Sequence, residues 1–213
     1  MRNMWAVLGV PMVLVMTWGV AIAADCGEPT PAPKYQVGEK WTWRNEKGTE
    51  SSDEVVQVEG DIAQIRWSNG DVAFYDKDRI IRKVVRANGE VLTKKGAGAY
   101  TTIGEKVLDF PLQVDKKWER SYFAAALVGG AGLQTYYERY RILRCEEISV
   151  PAGKLSVFKI EIEQSSAGSR FSGIRHSWYA PSVKNYVRTQ YVPSQWWTVG
   201  RFLDSELIKF EVK

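Results

Sequence analysis

Cysteine and histidine are nearly absent from this chain. Its 213 residues include two cysteines, Cys26 and Cys145, and one histidine, His176. No C-x-x-C occurs, which excludes a zinc knuckle or a thioredoxin-like redox site. A lone histidine without neighbouring ligands gives no metal set. The expectation is therefore no metal, no cofactor and no catalytic machinery. Blocks of positive charge are also missing. No run of five Lys or Arg appears, so nucleic acid is excluded as a partner. After the N-terminus, no apolar stretch is long enough to span a bilayer.

The one long apolar run opens the chain. "MRNMWAVLGVPMVLVMTWGVAIAA" carries Arg2, an apolar run from Trp5 to Val20, and then small residues with Ala21 and Ala23 in A-x-A spacing. Residues 1–24 have the pattern of a secretory signal peptide. Pro11 interrupts the run, which is near the lower limit for a membrane span; a retained helical anchor is the alternative. Cleavage leaves 28 Lys+Arg against 25 Asp+Glu, a net charge near +3. The expected location is periplasmic or secreted, with no stable membrane span. Export also places the cysteines where disulfides persist. A Cys26–Cys145 bridge would stabilise by about 4–5 kcal/mol in the chain-entropy model. The competing reading lipidates Cys26, but Ala23 and Asp25 fit a lipobox poorly.

Residues 25–37 form a Pro-rich, extended lead-in. From Gly38 to Lys213 the dominant period is two. Short β-branched or aromatic runs such as "KWTWR", "EVVQV", "IAQIRW", "VAFYD" and "RIIRKVV" are punctuated by "EGD", "SNGD" and "ANGE". The Asn-Gly pairs predict type I′ hairpins. The later strands are longer, and alternating charges in "YERYRILRCEEI" suggest a solvated face. An irregularity is expected near Asp204–Ser205, where the alternation breaks. The fold class is all-β: an antiparallel sandwich or curved half-barrel of roughly 10–12 strands with little helix. It divides into two halves, about 38–92 and 106–213, across a Gly-rich linker at 93–105.

"QVGEKW" at 36–41 and "QVDKKW" at 113–118 are nearly the same hexapeptide. Each ends in a tryptophan, Trp41 or Trp118, that opens a strand and can cap a sheet with a large buried area. The repeat points to a duplicated half, or to two sheet layers that begin alike.

Candidate chemistry is sparse. His176 has no argued nucleophile partner. Glu146 and Glu147 are adjacent and point to opposite faces of a strand, so they cannot share a substrate. "KKGAGAYTTIG" lacks the strand–helix context of a nucleotide loop. Two stretches favour contact with a ligand. "PSQWWTVG" places Trp196 and Trp197 in a turn-like segment suited to sugar or interface contact. "YFAAALVGGAGL" is uncharged, and Phe123, Ala126 and Leu127 would line an apolar hairpin mouth.

In order along the chain, "YQVGEKWTW", "FPLQVDKKW", "ISVPAGKLSVFKI", "SWYAPSVKNYVRTQY" and "ELIKF" resemble a family of uncharacterised, exported bacterial β-domain proteins sometimes labelled TapB-like. The resemblance spans roughly 35–212. The family usually carries Gly where this chain has Asp115, and an aromatic where it has Leu155. No catalytic residue is established for the family. The resemblance implies an all-β exported domain, with curved half-barrels of lipoprotein carriers as a fold-level analogy. In "VPAGK", Pro151 and Gly153 suit a strand reversal. In "WYAP", one of Trp178 and Tyr179 is expected in the core.

The functional expectation is a non-enzymatic envelope binding module for a lipophilic ligand or another envelope protein. The alternatives are carbohydrate contact or adhesion through exposed tryptophans, and a hydrolase whose site the sequence does not display.

Overall fold

The computed structural model describes residues 28–93, 103–125, 133–167, 172–192 and 203–213. They form β1 (Lys40–Asn45), β2 (Glu50–Glu59), β3 (Ile62–Trp67), β4 (Val72–Tyr75), β5 (Ile81–Val85), β6 (Val91–Leu92), β7 (Lys117–Ala125), β8 (Leu133–Val150), β9 (Gly153–Ser166), β10 (Ser172–Ala180), β11 (Asn185–Tyr191) and β12 (Ser205–Glu211). The only helical element among the described residues is a 3-10 turn at Pro181–Val183. All twelve strands join one antiparallel sheet in the order β6-β5-β4-β3-β2-β1-β12-β11-β10-β9-β8-β7. The sandwich alternative is therefore incorrect: there is one sheet, unclosed, with β6 and β7 at its edges.

Three hairpins share a turn. The Asn45, Trp67 and Arg86 amides donate to the carbonyls of Thr49, Asp71 and Glu90, while Gly48, Gly70 and Gly89 donate back. Positive φ falls on these glycines alone and not on the residues before them. These are three-residue turns ending in a glycine bulge, not the expected type I′ pairs, which need two left-handed residues.

The repeated hexapeptide has one backbone in both places. Gly38 and Asp115, at its third position, are left-handed, with φ of +87° and +67°. The next amide donates back to the first carbonyl, Glu39 to Gln36 at 3.2 Å and Lys116 to Gln113 at 3.1 Å. The turn then exchanges two backbone hydrogen bonds with the following strand, at Val55 in one copy and Ile142 in the other. Both strands slip register one residue later, between Val55 and Gln57 and between Ile142 and Arg144. A second matched slip follows Phe74 in β4 and Trp178 in β10. Lys83 lies over Phe74 as Arg188 lies over Trp178. The next turns carry Arg79 and Lys184, with φ of +60° and +61°. β1–β6 and β7–β12 are thus two copies of one meander. The bulges keep each apolar set on its face through the same bends.

The sheet curls strongly. In a flat sheet, five strand spacings of about 4.8 Å would put β4 roughly 24 Å from β11. Arg79, in the turn after β4, nevertheless lies 5.8 Å and 5.7 Å from the Tyr179 and Tyr186 rings and donates to Asn185. A side chain cannot bridge the flat distance, so the sheet wraps around an interior. The connection between the halves fills part of that interior. Ile103 packs among Ala73, Ile81, Val84 and Leu92, and Leu108 and Leu112 pack against Trp118, Tyr140, Phe158 and Ile160. The C-terminal part of the expected linker is therefore core.

The largest cluster joins both halves through Trp41, Val55, Ile65, Val157, Trp178 and Leu207. The Trp41 Nε1–H donates to the Val183 carbonyl at 2.7 Å. Glu39 is fully buried, bonded to the Lys184 ammonium, which also reaches the Lys34 and Lys213 carbonyls. Trp178 and Tyr179 are both buried, in different clusters, because β10 is covered on both faces here. The slip in β12 falls at Ile208, opposite Thr42 and Trp43, and not at Asp204–Ser205.

Candidate functional site

Antiparallel partners share a face, so register sorts β7–β10 into two surfaces. Trp118, Arg120, Tyr122, Tyr136, Glu138, Tyr140, Ile162 and Gln164 lie on the inner face, and Glu119, Tyr137, Arg139 and Glu163 on the outer. The outer face holds an open groove of about 1170 Å³. Large apolar side chains are exposed at five places among the described residues, and three of them line this groove: Tyr137 at 49%, Ile174 at 36% and Val192 at 36%. Around them stand Ser121, Ser165, Ser172 and the exposed Arg139–Glu163 ion pair at 2.6 Å. Apolar exposure within a polar frame is the composition of a contact surface.

Behind the groove, the inner face carries a charged network. Glu138 is 1% exposed and accepts from Arg120 Nε at 2.6 Å, Gln164 Nε2 at 3.1 Å and Arg175 Nη2 at 3.4 Å. The Tyr140 hydroxyl also donates to it. Burial alone would raise the Glu138 pKa. The Arg175 and Arg120 guanidiniums, with the Tyr140 hydroxyl, outweigh burial and hold the carboxyl below its ordinary value. A buried carboxylate so held is a poor general base. Trp118 stacks on Tyr140 at 4.7 Å, and Tyr122 on Tyr136 at 5.5 Å. Trp118 Nε1, Arg120 Nη1 and Arg175 Nε remain buried without acceptors.

Asp53 occupies the inner face of the first half, opposite Trp41 and Trp67. Burial pushes its pKa up to about 7, against the lowering effect of Arg79. Among the described residues, it belongs to no group of three metal-ligating side chains. His176 Nε2 lies 3.4 Å from Glu161, and the neighbouring Ser177 hydroxyl lies 3.5 Å from Thr189. Consecutive strand residues point to opposite faces, so these are two separate contacts and not a triad. Glu146 accepts from Trp178 and pairs with Arg144, while Glu147 pairs with Lys154. No group of three metal-ligating side chains occurs among the described residues.

No family model and no curated protein matches the chain. Solved structures resemble its overall path. A candidate lipoprotein from Parabacteroides distasonis is 17% identical over 88% of this chain and 100% of its own, with a TM-score of 0.44. The hypothetical lipoprotein YmcC from Escherichia coli is 10% identical over 90% and 92%, with a TM-score of 0.45. A candidate exported protein with a YmcC-like fold from Bacteroides fragilis is 15% identical over 87% and 100%, with a TM-score of 0.39. These likenesses carry neither a family nor a function to this chain, and the TapB-like label stays a resemblance of sequence motifs.

Most of the contact residues singled out in the sequence are not among the described ones. Ala126, Leu127, Trp196 and Trp197 lie outside the described residues, as do Cys26 and residues 1–24. The backbone of Phe123 pairs with Thr135 in the hairpin, and its side chain lies outside the described part. Cys145 is half-buried in β8. Sequence reasoning missed Glu138 by assigning "YERYRILRCEEI" to a solvated face. A signal was present: Tyr136, Glu138, Tyr140 and Ile142 fall in phase at period two, which places the acid in an aromatic row.

Proposed function

We propose that this is an exported, non-catalytic binding protein of the cell envelope, and that its outer groove on β7–β10 engages the surface of another protein. The carrying observation is the concentration of exposed Tyr137, Ile174 and Val192 in one open groove framed by serines and an ion pair. Export rests on the pattern of residues 1–24. No helix among the described residues is long and apolar enough to cross a membrane.

Openness favours a protein surface over a lipophilic small molecule, which prefers an enclosed apolar chamber. Leu108 and Leu112 occupy the inner side of β7–β10, where such a chamber would lie. The described tryptophans are buried or half-buried, so none of them offers the flat aromatic row that carbohydrate contact would use.

Photocrosslinking in the native envelope tests this reading. With p-benzoylphenylalanine at Tyr137 or Ile174, a discrete light-dependent protein adduct is expected. The same group at Lys47, exposed in the β1–β2 turn, should give none. No adduct at the groove, or the same adduct at all three positions, would overturn it.

A further inference from the structure

We infer that the free edge of β7 is a docking edge for an extended segment of a partner protein, added as an antiparallel strand in the way that β12 is added to β1. This rests on the protein-binding reading and specifies the partner's conformation and charge pattern.

The two copies of the meander match until their outer ends. In the first, β1 is flanked by β2 on one side and by β12 on the other. In the second, β7 is flanked by β8 alone. The counterpart of β12 is β6, which has two residues where β12 has seven, and it pairs only with β5. Among the described residues, no backbone group bonds to the far side of β7. Among the described residues, the copy thus keeps the receiving strand and lacks the strand that fills it. Exposed strand edges of this kind accept added strands.

Unsatisfied side chains mark the same edge. Trp41 donates its indole N–H to the Val183 carbonyl, whereas Trp118, at the matching position, has no acceptor. Arg120, two residues further along β7, leaves Nη1 unpartnered although its side chain is 6% exposed. Buried donors without acceptors are costly, and the backbone carbonyls of an incoming chain are acceptors along this edge.

Charge selects the occupant. β12 sets Glu211 opposite Lys40, Phe210 opposite Trp41 and Lys209 opposite Thr42. Transferred to the matching positions of β7, the same strand sets Glu against Lys117, Phe against Trp118 and Lys against Glu119. Lys117 and Glu119 are exposed and make no ion pair among the described residues. The edge therefore suits a strand that alternates acid, apolar and base. A second copy of β7 matches this pattern over three residues only. Antiparallel self-pairing centred on Trp118 sets Lys117 against Glu119, but the strand begins at Lys117, so the next pair opposes Arg120 to Lys116 of the turn; centring on Ser121 sets every charge against an uncharged residue.

The probe is a fluorescent peptide of sequence SELIKFE, that of β12, titrated into the full-length protein by anisotropy. Saturable one-to-one binding is expected. A peptide with the Lys and the final Glu exchanged should bind about tenfold more weakly, from two reversed cross-strand pairs. The double variant Lys117→Glu, Glu119→Lys should invert that preference; both side chains are exposed, and a circular dichroism melt checks its fold. If neither peptide binds the wild-type protein, if the two bind equally, or if the folded double variant keeps the original preference, the inference is wrong. A concentration-dependent dimer of the wild-type protein that the SELIKFE peptide dissociates would also overturn it, in favour of a second copy. Groove adducts at Tyr137 and Ile174 without peptide binding would sink the strand inference alone. Peptide binding without those adducts would sink the groove reading alone.

Discussion

Glu138→Ala lowers stability by about 3–5 kcal/mol, because it leaves the buried Arg120 guanidinium and the partly buried Arg175 guanidinium without their shared carboxylate. Arg120 and Arg175 both converge on Glu138, and Tyr140 and Gln164 donate to it. The Tyr122 hydroxyl donates to it as well, so removing the acid takes the shared acceptor from five donors at a site that is 1% exposed. For a domain whose total stability is on the order of 5–15 kcal/mol, that loss is large. Glu138→Gln keeps the shape and loses only the charge, so its cost at neutral pH is smaller. Acid separates the variants further. Because the folded-state pKa of Glu138 is lowered, its contribution is complete above the unfolded-state value and is lost as pH falls through the folded one. The wild-type protein should therefore lose more stability on acidification than Glu138→Gln does. Urea melts at neutral and acid pH measure both effects. Equal stability of wild type and Glu138→Ala would mean that the network is solvated.

Trp41→Ala costs about 4–5 kcal/mol and Trp118→Ala about 1–2 kcal/mol less, although both tryptophans end the same hexapeptide. Trp41 is fully buried in the cluster that joins the halves, packs edge-on against Tyr35 and donates to Val183 across the junction. Its loss opens a cavity and orphans a carbonyl. Trp118 is nearly as buried and stacks on Tyr140, but its indole N–H has no acceptor. Truncation there removes an unsatisfied donor along with the ring, which offsets part of the packing loss. Denaturant melts of the two variants give the comparison. Equal costs would show that the second tryptophan is satisfied and that β1 and β7 begin with the same energetics.

Much of the strand content was legible because period-two alternation and turn residues are local signals. Val55, Ile65 and Ala73 alternate as their strands require, and glycine at 48, 70 and 89 marks the turns. The hexapeptide was legible as a repeat. Its meaning was not, since Gly38 and Asp115 share a left-handed conformation that their side chains do not advertise. What covers each face was illegible as well. Alternation states that one face is buried, and it does not distinguish a second sheet from a curl filled by the chain's own connection. At β9 and β10 it fails outright: Val157 and Phe158 are both buried, as are Trp178 and Tyr179, because the curl brings a different cluster to each face. Glu138 looked solvated because charged neighbours at 139 and 141 surround it in sequence, while register turns them outward. The groove depends on how four distant strands twist together, and no local pattern carries that.

Residue-resolved hydrogen exchange across β1 and β7 tests the open edge most directly. β1 lies between two strands, so its strand amides should be protected throughout. β7 has one neighbour, so protection should alternate along Lys117–Ser121, with amides facing β8 slow and amides facing the free edge fast. Adding the β12-sequence peptide should slow the fast set. Uniform protection of β7 in the protein alone would contradict an open edge and show that the second copy of the meander is already complete.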